Sequence, residues 1–252
     1  MDQRFAGRVA IVTGTGSGLG RATAERLAAE GAIVACLDIV DDANEETVKA
    51  IAAEGRGATA IHCDVRDPAS AKAAVDRAAS ELGRPQVVVT CAGVGRFARA
   101  EELAFADWDR IIGINLTGTF LVCQAALPYL LDGGGRIVTI ASNAGLMGQP
   151  FSAAYCASKG GVVNLTRSLA AEYLKRDVTV NCIAPGGMDT PIQNDFASTL
   201  PEGASLKDLA AVMTPLGTSS PHEIAGLIAF VASDDGRYMT GSIVSIDGGL
   251  TI

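Results

Sequence analysis

Short runs of Val, Ile and other apolar residues recur along the chain at 8–13, 32–38, 58–63, 86–90, 136–141, 178–183 and 242–246. With few polar breaks inside them, they read as seven strands buried on both faces. Between them lie longer stretches in which apolar positions return at helical spacing. The segment 22–30 stops at Gly31, and 68–82 opens with Pro68 and stops at Gly83, the start and stop residues expected of helices. Strand and helix in alternation predict an α/β fold: one domain over 1–252 built on a doubly wound parallel sheet of about seven strands with helices on both faces. One connection, from about 187 to 221, breaks the rhythm. Its portion 188–215 carries Ile192, Phe196, Leu200, Leu206, Leu209 and Met213 among small and polar breaks, and is expected to cover a substrate site, with a plain surface excursion as the alternative.

Composition narrows the class. At 252 residues and 48% hydrophobic content the chain can bury one large core, and a net charge of −8 without any Lys/Arg-rich run argues against a nucleic-acid partner. No apolar stretch is expected to approach the roughly 18 residues of a membrane span. Met1-Asp2-Gln3-Arg4 leads towards the first strand without an apolar leader, so a cytoplasmic protein is expected. Cys36, Cys63, Cys91, Cys123, Cys156 and Cys182 show no C-x-x-C spacing, and there are only two histidines. Neither a metal site nor a disulfide framework is suggested. His62 and His222 read as packing or capping residues.

Thr13-Gly14-Thr15-Gly16-Ser17-Gly18-Leu19-Gly20 directly follows the first strand and opens a helix. Glycines there let backbone N–H groups approach a pyrophosphate, and the helix N-terminus favours its negative charge. A tight turn alone would explain the glycines, but Asp38 ends the next strand about twenty residues on, where a carboxylate can accept hydrogen bonds from an adenosine ribose. A carboxylate there repels a further phosphate, and Thr15, Ser17, Ile39 and Val40 offer no cation to offset it, so NAD is expected over NADP. Arg21 lies inside the helix start, solvated or paired with Glu25.

Tyr155 and Lys159, four apart, share one helix face, where a cation near a phenol favours its ionised form. Alone the pair would pass for a surface contact. Ser142 ends the fifth strand and Asn115 lies in a helical stretch; singly they read as a turn residue and a solvent-facing polar one.

Together these residues resemble the short-chain dehydrogenase/reductase family over essentially the whole chain. Thr13-Gly-x-x-x-Gly18-x-Gly20 is similar to its cofactor turn, Cys63-Asp64-Val65 to its adenine contact, and Pro185-Gly186 through Met188 and Thr190 to its nicotinamide-side loop. Gly241 through Ile246 to Gly249 is similar to its last strand. The resemblance implies a Rossmann-type fold and hydride transfer between a nicotinamide and a secondary alcohol or ketone. Tyr155 would carry the proton, Lys159 would tune it and hold the nicotinamide ribose, Ser142 would donate to the substrate oxygen, and Asn115 would hold a relay water. Gly14, Ser17, Gly18, Leu19, Gly20, Asp38, Asp64, Val65, Cys91, Ala92, Gly93, Tyr155, Lys159, Pro185, Gly186, Met188 and Thr190 would contact the cofactor. One departure is Thr90-Cys91-Ala92-Gly93 where the family has N-N-A-G, which predicts slacker local hydrogen bonding.

Leu146, Met147 and Phe151 join the cover residues in suggesting an apolar, cyclic alcohol or ketone. Arg96 would anchor an acidic substrate or stand solvated. Val162, Val163, Leu165 and Leu169 offer apolar area for a subunit interface, so a homotetramer is expected by resemblance. The alternatives are a 3-oxoacyl thioester reductase and, from another class, a non-catalytic NAD(H)-binding regulator or scaffold.

Overall fold

The computed structural model describes residues 3–252; Met1 and Asp2, read above as the approach to the first strand, lie outside them, as do the side chains of Leu206 and Ala211. Seven parallel strands form one sheet: β1 Val9–Thr13, β2 Ile33–Asp38, β3 Ala58–His62, β4 Pro85–Thr90, β5 Gly135–Ile140, β6 Val178–Pro185 and β7 Ile243–Ile246. Their order is β3-β2-β1-β4-β5-β6-β7, so strand order reverses between β1 and β4. All five residues of β1 are buried. Alternate residues feed opposite faces of the sheet: Ala10, Val12, Val34 and Val89 pack on one side, Ile11, Ala35, Leu37 and Val88 on the other. The fold is thus the Rossmann-type sheet that the apolar runs predict, with boundaries displaced by one or two residues.

The helices are α1 Gly18–Ala29, α2 Asp41–Ala53, α3 Pro68–Leu82, α4 Phe105–Ile112, α5 Gly118–Leu130, α6 Ala153–Tyr173, α7 Pro191–Ser198, α8 Leu206–Leu209 and α9 Pro221–Ala232. Asp67 caps α3 by accepting the Ala69 N–H at 3.0 Å, with Pro68 at the first helical position. α4 runs into α5 through a π-helical turn, Gly113–Thr117. Together they make Phe105–Leu130 long and apolar enough, by length and composition, to cross a membrane, which corrects the expectation that no such stretch exists. In this fold α5 instead lies against β4 and α3, burying Val122, Cys123, Ala126, Leu127 and Leu130.

The excursion after β6 is pinned at its base, where Asp189 N–H donates to Ser219 O and Ser219 N–H to Gly187 O, both at 3.0 Å. It rises as α7 and α8, short helices its broken apolar pattern does not announce. The apolar stripe on α6 is not free surface: Val162, Val163 and Leu169 are buried within the chain. A helical period marks the face that is covered but not what covers it.

Candidate active site

A cavity of about 470 Å³ opens at the carboxyl ends of the strands, the place where sheets of this winding take ligands. Of the residues expected on the cofactor, Gly14, Ser17, Gly18, Leu19, Gly20, Asp38, Asp64, Val65, Cys91, Ala92, Gly93, Tyr155, Lys159, Met188 and Thr190 line it. Pro185 and Gly186 line the cavity beside it. Arg66, Arg110 and Asp195 also face it and were not anticipated.

The turn is packed so closely that only glycine fits. A Cβ on Gly14, whose φ is +72°, would lie 2.8 Å from Ala92 Cα, and one on Gly20 would lie 2.0 Å from the Gly14 carbonyl oxygen. Ser17, exposed at the N-cap of α1, makes no side-chain cap hydrogen bond, which leaves the first-turn N–H groups for an anion. Asp38 acts as a turn cap: Oδ2 accepts the Gly16 N–H and Oδ1 the Val40 N–H, each at 2.8 Å. Each oxygen keeps a further lone pair for a ribose hydroxyl. A glycine cradle, a helix N-terminus and a carboxylate along one cavity fit a dinucleotide.

Arg21 is neither solvated nor paired with Glu25. Its Nη2 donates to the Gly16 carbonyl at 2.6 Å, because the turn leaves that carbonyl within reach of the first helical turn. At the Thr90-Cys91-Ala92-Gly93 departure the bonding is slack, as expected. Thr90 Oγ1 is buried without a partner among the described residues, and Cys91 Sγ reaches Thr23 Oγ1 only at 3.9 Å, while the Ala92 N–H still donates to Thr13 Oγ1 at 3.1 Å.

Tyr155 and Lys159 both face the cavity from α6. Lys159 is 4% exposed; its Nζ donates to the Ile140 carbonyl at 2.8 Å and stands 5.8 Å from the Tyr155 ring centroid. Loss of solvent pushes the Tyr155 phenol up to about 12, against the pull of the Ser142 hydroxyl, and pushes Lys159 down to about 8. In the protein by itself the phenol thus stands above its ordinary value because of lost solvent, with the Lys159 ammonium 5.8 Å from the ring centroid. Ser142 has one proton to give. It donates it to Asn143 Oδ1 at 2.8 Å while accepting the Ala144 N–H at 3.2 Å, and must swing to serve an oxygen in the cavity.

Asn115 lines neither cavity. Its side chain clasps the Val94 backbone, accepting N–H at 2.8 Å and donating to O at 2.9 Å, and donates to Ser158 Oγ at 3.0 Å. It lies beside Lys159 across Gly93, where a Cβ would come 3.4 Å from Asn115 Oδ1 and 3.5 Å from Lys159 Nζ.

A second cavity, about 430 Å³, meets the first at Ala141, Tyr155, Met188, Thr190 and Ile192. Ser142 and Tyr155 stand on its wall with Phe97, Ile192, Phe196, Leu200, Leu209 and Met213, and no described residue lining it is charged. Phe196 of α7 sits edge-on to the Tyr155 ring at 5.1 Å and against Phe97 at 4.8 Å, while Thr199 Oγ1 accepts the Phe97 N–H at 2.9 Å. Leu146, Met147 and Phe151 do not line this cavity; Phe151 lies instead under Arg99. Arg96 is ion-paired with Asp107 rather than solvated or facing a substrate. His62 is exposed and contacts Asp41 at 2.8 Å, and the His222 N–H is capped by Ser220. Asn143 and Gln149 line the cavity and were not anticipated. Nothing in their sequence positions marks them.

A family model described as Enoyl-(Acyl carrier protein) reductase matches residues 14–251. The chain is 44% identical to D-threitol dehydrogenase of Mycolicibacterium smegmatis, over 100% of this chain and 95% of that relative. It is 41% identical to cis-4-hydroxycyclohexanecarboxylate dehydrogenase of Sinomonas cyclohexanicum, over 100% and 99%. The crystal structure of a short-chain type dehydrogenase/reductase from Mycobacterium marinum superposes with a TM-score of 0.90 at 34% identity, covering 98% of this chain and 96% of that one. Likeness of sequence and of fold over the full length, around a glycine cradle that ends at Tyr155 and Lys159, means that the chain belongs to the short-chain dehydrogenase/reductase family, oxidoreductases that act on CH–OH groups with a nicotinamide cofactor.

Proposed function

We propose that the protein is an NAD-dependent dehydrogenase of an uncharged secondary alcohol, or the reductase of its ketone. The observation that carries this reading is that Tyr155 stands on the wall shared by the cavity that the glycine turn and Asp38 line and an uncharged one. The nicotinamide supplies the hydride acceptor; all else falls to the chain. With its own proton lost under the positive charges of Lys159 and of a bound oxidised nicotinamide, Tyr155 Oη would take the hydroxyl proton as the alcohol is oxidised, and Ser142 Oγ donates to the same substrate oxygen after leaving Asn143. Lys159 holds a positive charge behind the phenol, released in part from its bond to Ile140 O to reach a ribose. Asn115 is a positioning residue that ties the Val94 turn to α6.

NAD is favoured over NADP because Asp38 faces the adenosine end and its neighbours Ile39 and Val40, 50% and 55% exposed, bring no cation. Like charges about 4 Å apart near a surface repel by on the order of 4 kcal/mol before screening. The segment 188–215 serves as a cover, closing Phe196 onto Tyr155 and excluding water. Exposed Phe105, Trp108 and Phe120 on the helical stretch of α4 and α5 support a homo-oligomer. A cytoplasmic, small-molecule enzyme is the reading throughout.

The test compares NAD with NADP on one secondary alcohol. At least a hundredfold preference for NAD in kcat/KM is expected, about 2.7 kcal/mol, with Asp38→Ser plus Ile39→Arg shifting use towards NADP. Equal use of both by the wild type overturns the cofactor assignment.

A further inference from the structure

The second cavity is neither wholly apolar nor charged. The residues lining it include Asn143, only 8% exposed, and Gln149 on the same connection between β5 and α6, both of which carry side-chain amides. Asn143 is used on one side only. Its Oδ1 accepts the Ser142 hydroxyl at 2.8 Å and the Ala144 N–H at 2.9 Å, while its Nδ2 has no acceptor among the described residues. The Gln149 side chain likewise has no hydrogen-bond partner among them, its carbonyl receiving only a weak contact from Cys156 Sγ at 3.9 Å. Neither amide nitrogen is among the buried atoms left without a partner, so each keeps accessible surface and is free to donate to an acceptor that enters the space beside it. Asn143 keeps 8% of its surface and is among the residues that line the cavity.

The position of that donor is informative. Because Asn143 Oδ1 is bonded to Ser142 Oγ, its Nδ2 lies no more than about 5 Å from Oγ, one hydrogen bond plus the width of an amide. An oxygen on the reacting carbon sits within hydrogen-bond reach of Ser142; an oxygen on the neighbouring carbon then falls near Asn143 Nδ2. We propose that Asn143 Nδ2 is a specificity determinant that reads a second hydroxyl beside the reacting one, and that the substrate class is the neutral vicinal diol or polyol, with Gln149 serving a more distant oxygen. This rests on, and deepens, the reading of the protein as an alcohol dehydrogenase. The uncharged wall sets the other limit: a carboxylate on the substrate would be desolvated without a counter-ion. The coupling of Asn143 to Ser142 also ties recognition to chemistry. As Ser142 turns from Oδ1 to the substrate oxygen, Asn143 is held in place by the Ala144 N–H, and its amide remains pointed at the second hydroxyl.

The test measures kcat/KM with NAD for cyclohexanol, the vicinal cyclohexanediols, D-threitol and a hydroxycyclohexanecarboxylate, on wild type, Asn143→Asp and Gln149→Leu. Asn143→Asp keeps an acceptor for the Ser142 hydroxyl and the Ala144 N–H but puts a carboxylate oxygen, and a negative charge, in place of the donor, so it is read by the ratio of substrates within the variant and not by its absolute rate. At least one of the diols or threitol is expected to exceed cyclohexanol by about tenfold or more in the wild type, equivalent to about 1.4 kcal/mol. That ratio should fall to within about threefold of unity in Asn143→Asp and part-way in Gln149→Leu. Should Asn143→Asp fail to fold, the ratio within the wild type and in Gln149→Leu decides. Cyclohexanol or the carboxylate turned over as well as every diol overturns the inference and leaves the alcohol dehydrogenase standing. Oxidation of none of these, with ketone reduction by NADH also absent, overturns the underlying reading and the inference with it.

Discussion

Replacing Lys159 with methionine is expected to make the protein more stable while abolishing turnover. The ammonium is 4% exposed, has the single hydrogen bond to Ile140 O, and has its pKa pushed from 10.5 down to about 8 by burial. At about 1.4 kcal/mol for each tenfold change in proton affinity, keeping it charged in the fold costs about 3 kcal/mol at neutral pH. Methionine fills the space without the charge and forfeits one hydrogen bond worth about 1 kcal/mol, leaving a gain of about 2 kcal/mol. For a chain of this size that raises Tm by about 4–8 °C. The sign with pH follows from linkage. Below pH 8 both folded and unfolded chains hold the proton and the cost is full; between about 8 and 10.5 the unfolded chain binds more protons, so wild-type stability rises with pH and the advantage of the variant shrinks. Urea unfolding of both proteins, without cofactor, at pH 7 and near pH 10 measures this. A variant no more stable than wild type at pH 7, or an advantage that does not diminish at the higher pH, would refute the claim that the charge is held at a cost for function.

Two further perturbations probe the scaffold and the cover. Glu30, 1% exposed, is held by Arg4 at 2.6 and 2.8 Å and by Arg26; burial raises its carboxyl, but the guanidinium hydrogen bonds outweigh that and hold it below its usual value. Its stabilisation is therefore full above about pH 4.5 and is lost as pH falls through the depressed value, and Glu30→Gln should cost about 3–5 kcal/mol in urea unfolding at pH 7, with a loss below about 1 kcal/mol counting against it. Gly95→Ala places a Cβ 2.3 Å from Phe196 Cζ, so the ring must move about 1 Å or more off Tyr155. KM should rise about 3–10-fold with folding stability changed by about 1 kcal/mol or less, and an unchanged KM would show that Phe196 does not close on substrate.

Much of this architecture was legible because its causes are local. Buried parallel strands need near-continuous apolar runs, Gly20 is required by the Gly14 carbonyl within the turn, and Gly14 by its own positive φ before the distant Ala92 backbone closes on it, so strands and cradle stand where the pattern puts them. What escaped depends on the third dimension. The stripe Val162, Val163, Leu169 has the same period whether covered by the chain's own sheet or by a second subunit. Tyr155 and Lys159 are neighbours in sequence, but their titration is governed by lost solvent, which spacing does not encode. Arg21 and Arg96 read as solvated until the backbone brings Gly16 O and Asp107 to them. The idle donor of Asn143 exists only because Ser142 and Ala144 occupy the other end of its amide.

The central claim, that Tyr155 carries the proton during hydride transfer, is tested most directly by Tyr155→Phe. Removing one hydroxyl leaves the ring against Phe196 and the cradle untouched. The variant should bind NADH within a few-fold of wild type while kcat for the best alcohol falls by about 10²–10⁴, the range of a positioned general acid–base group. A variant that keeps a tenth or more of the wild-type kcat would contradict it.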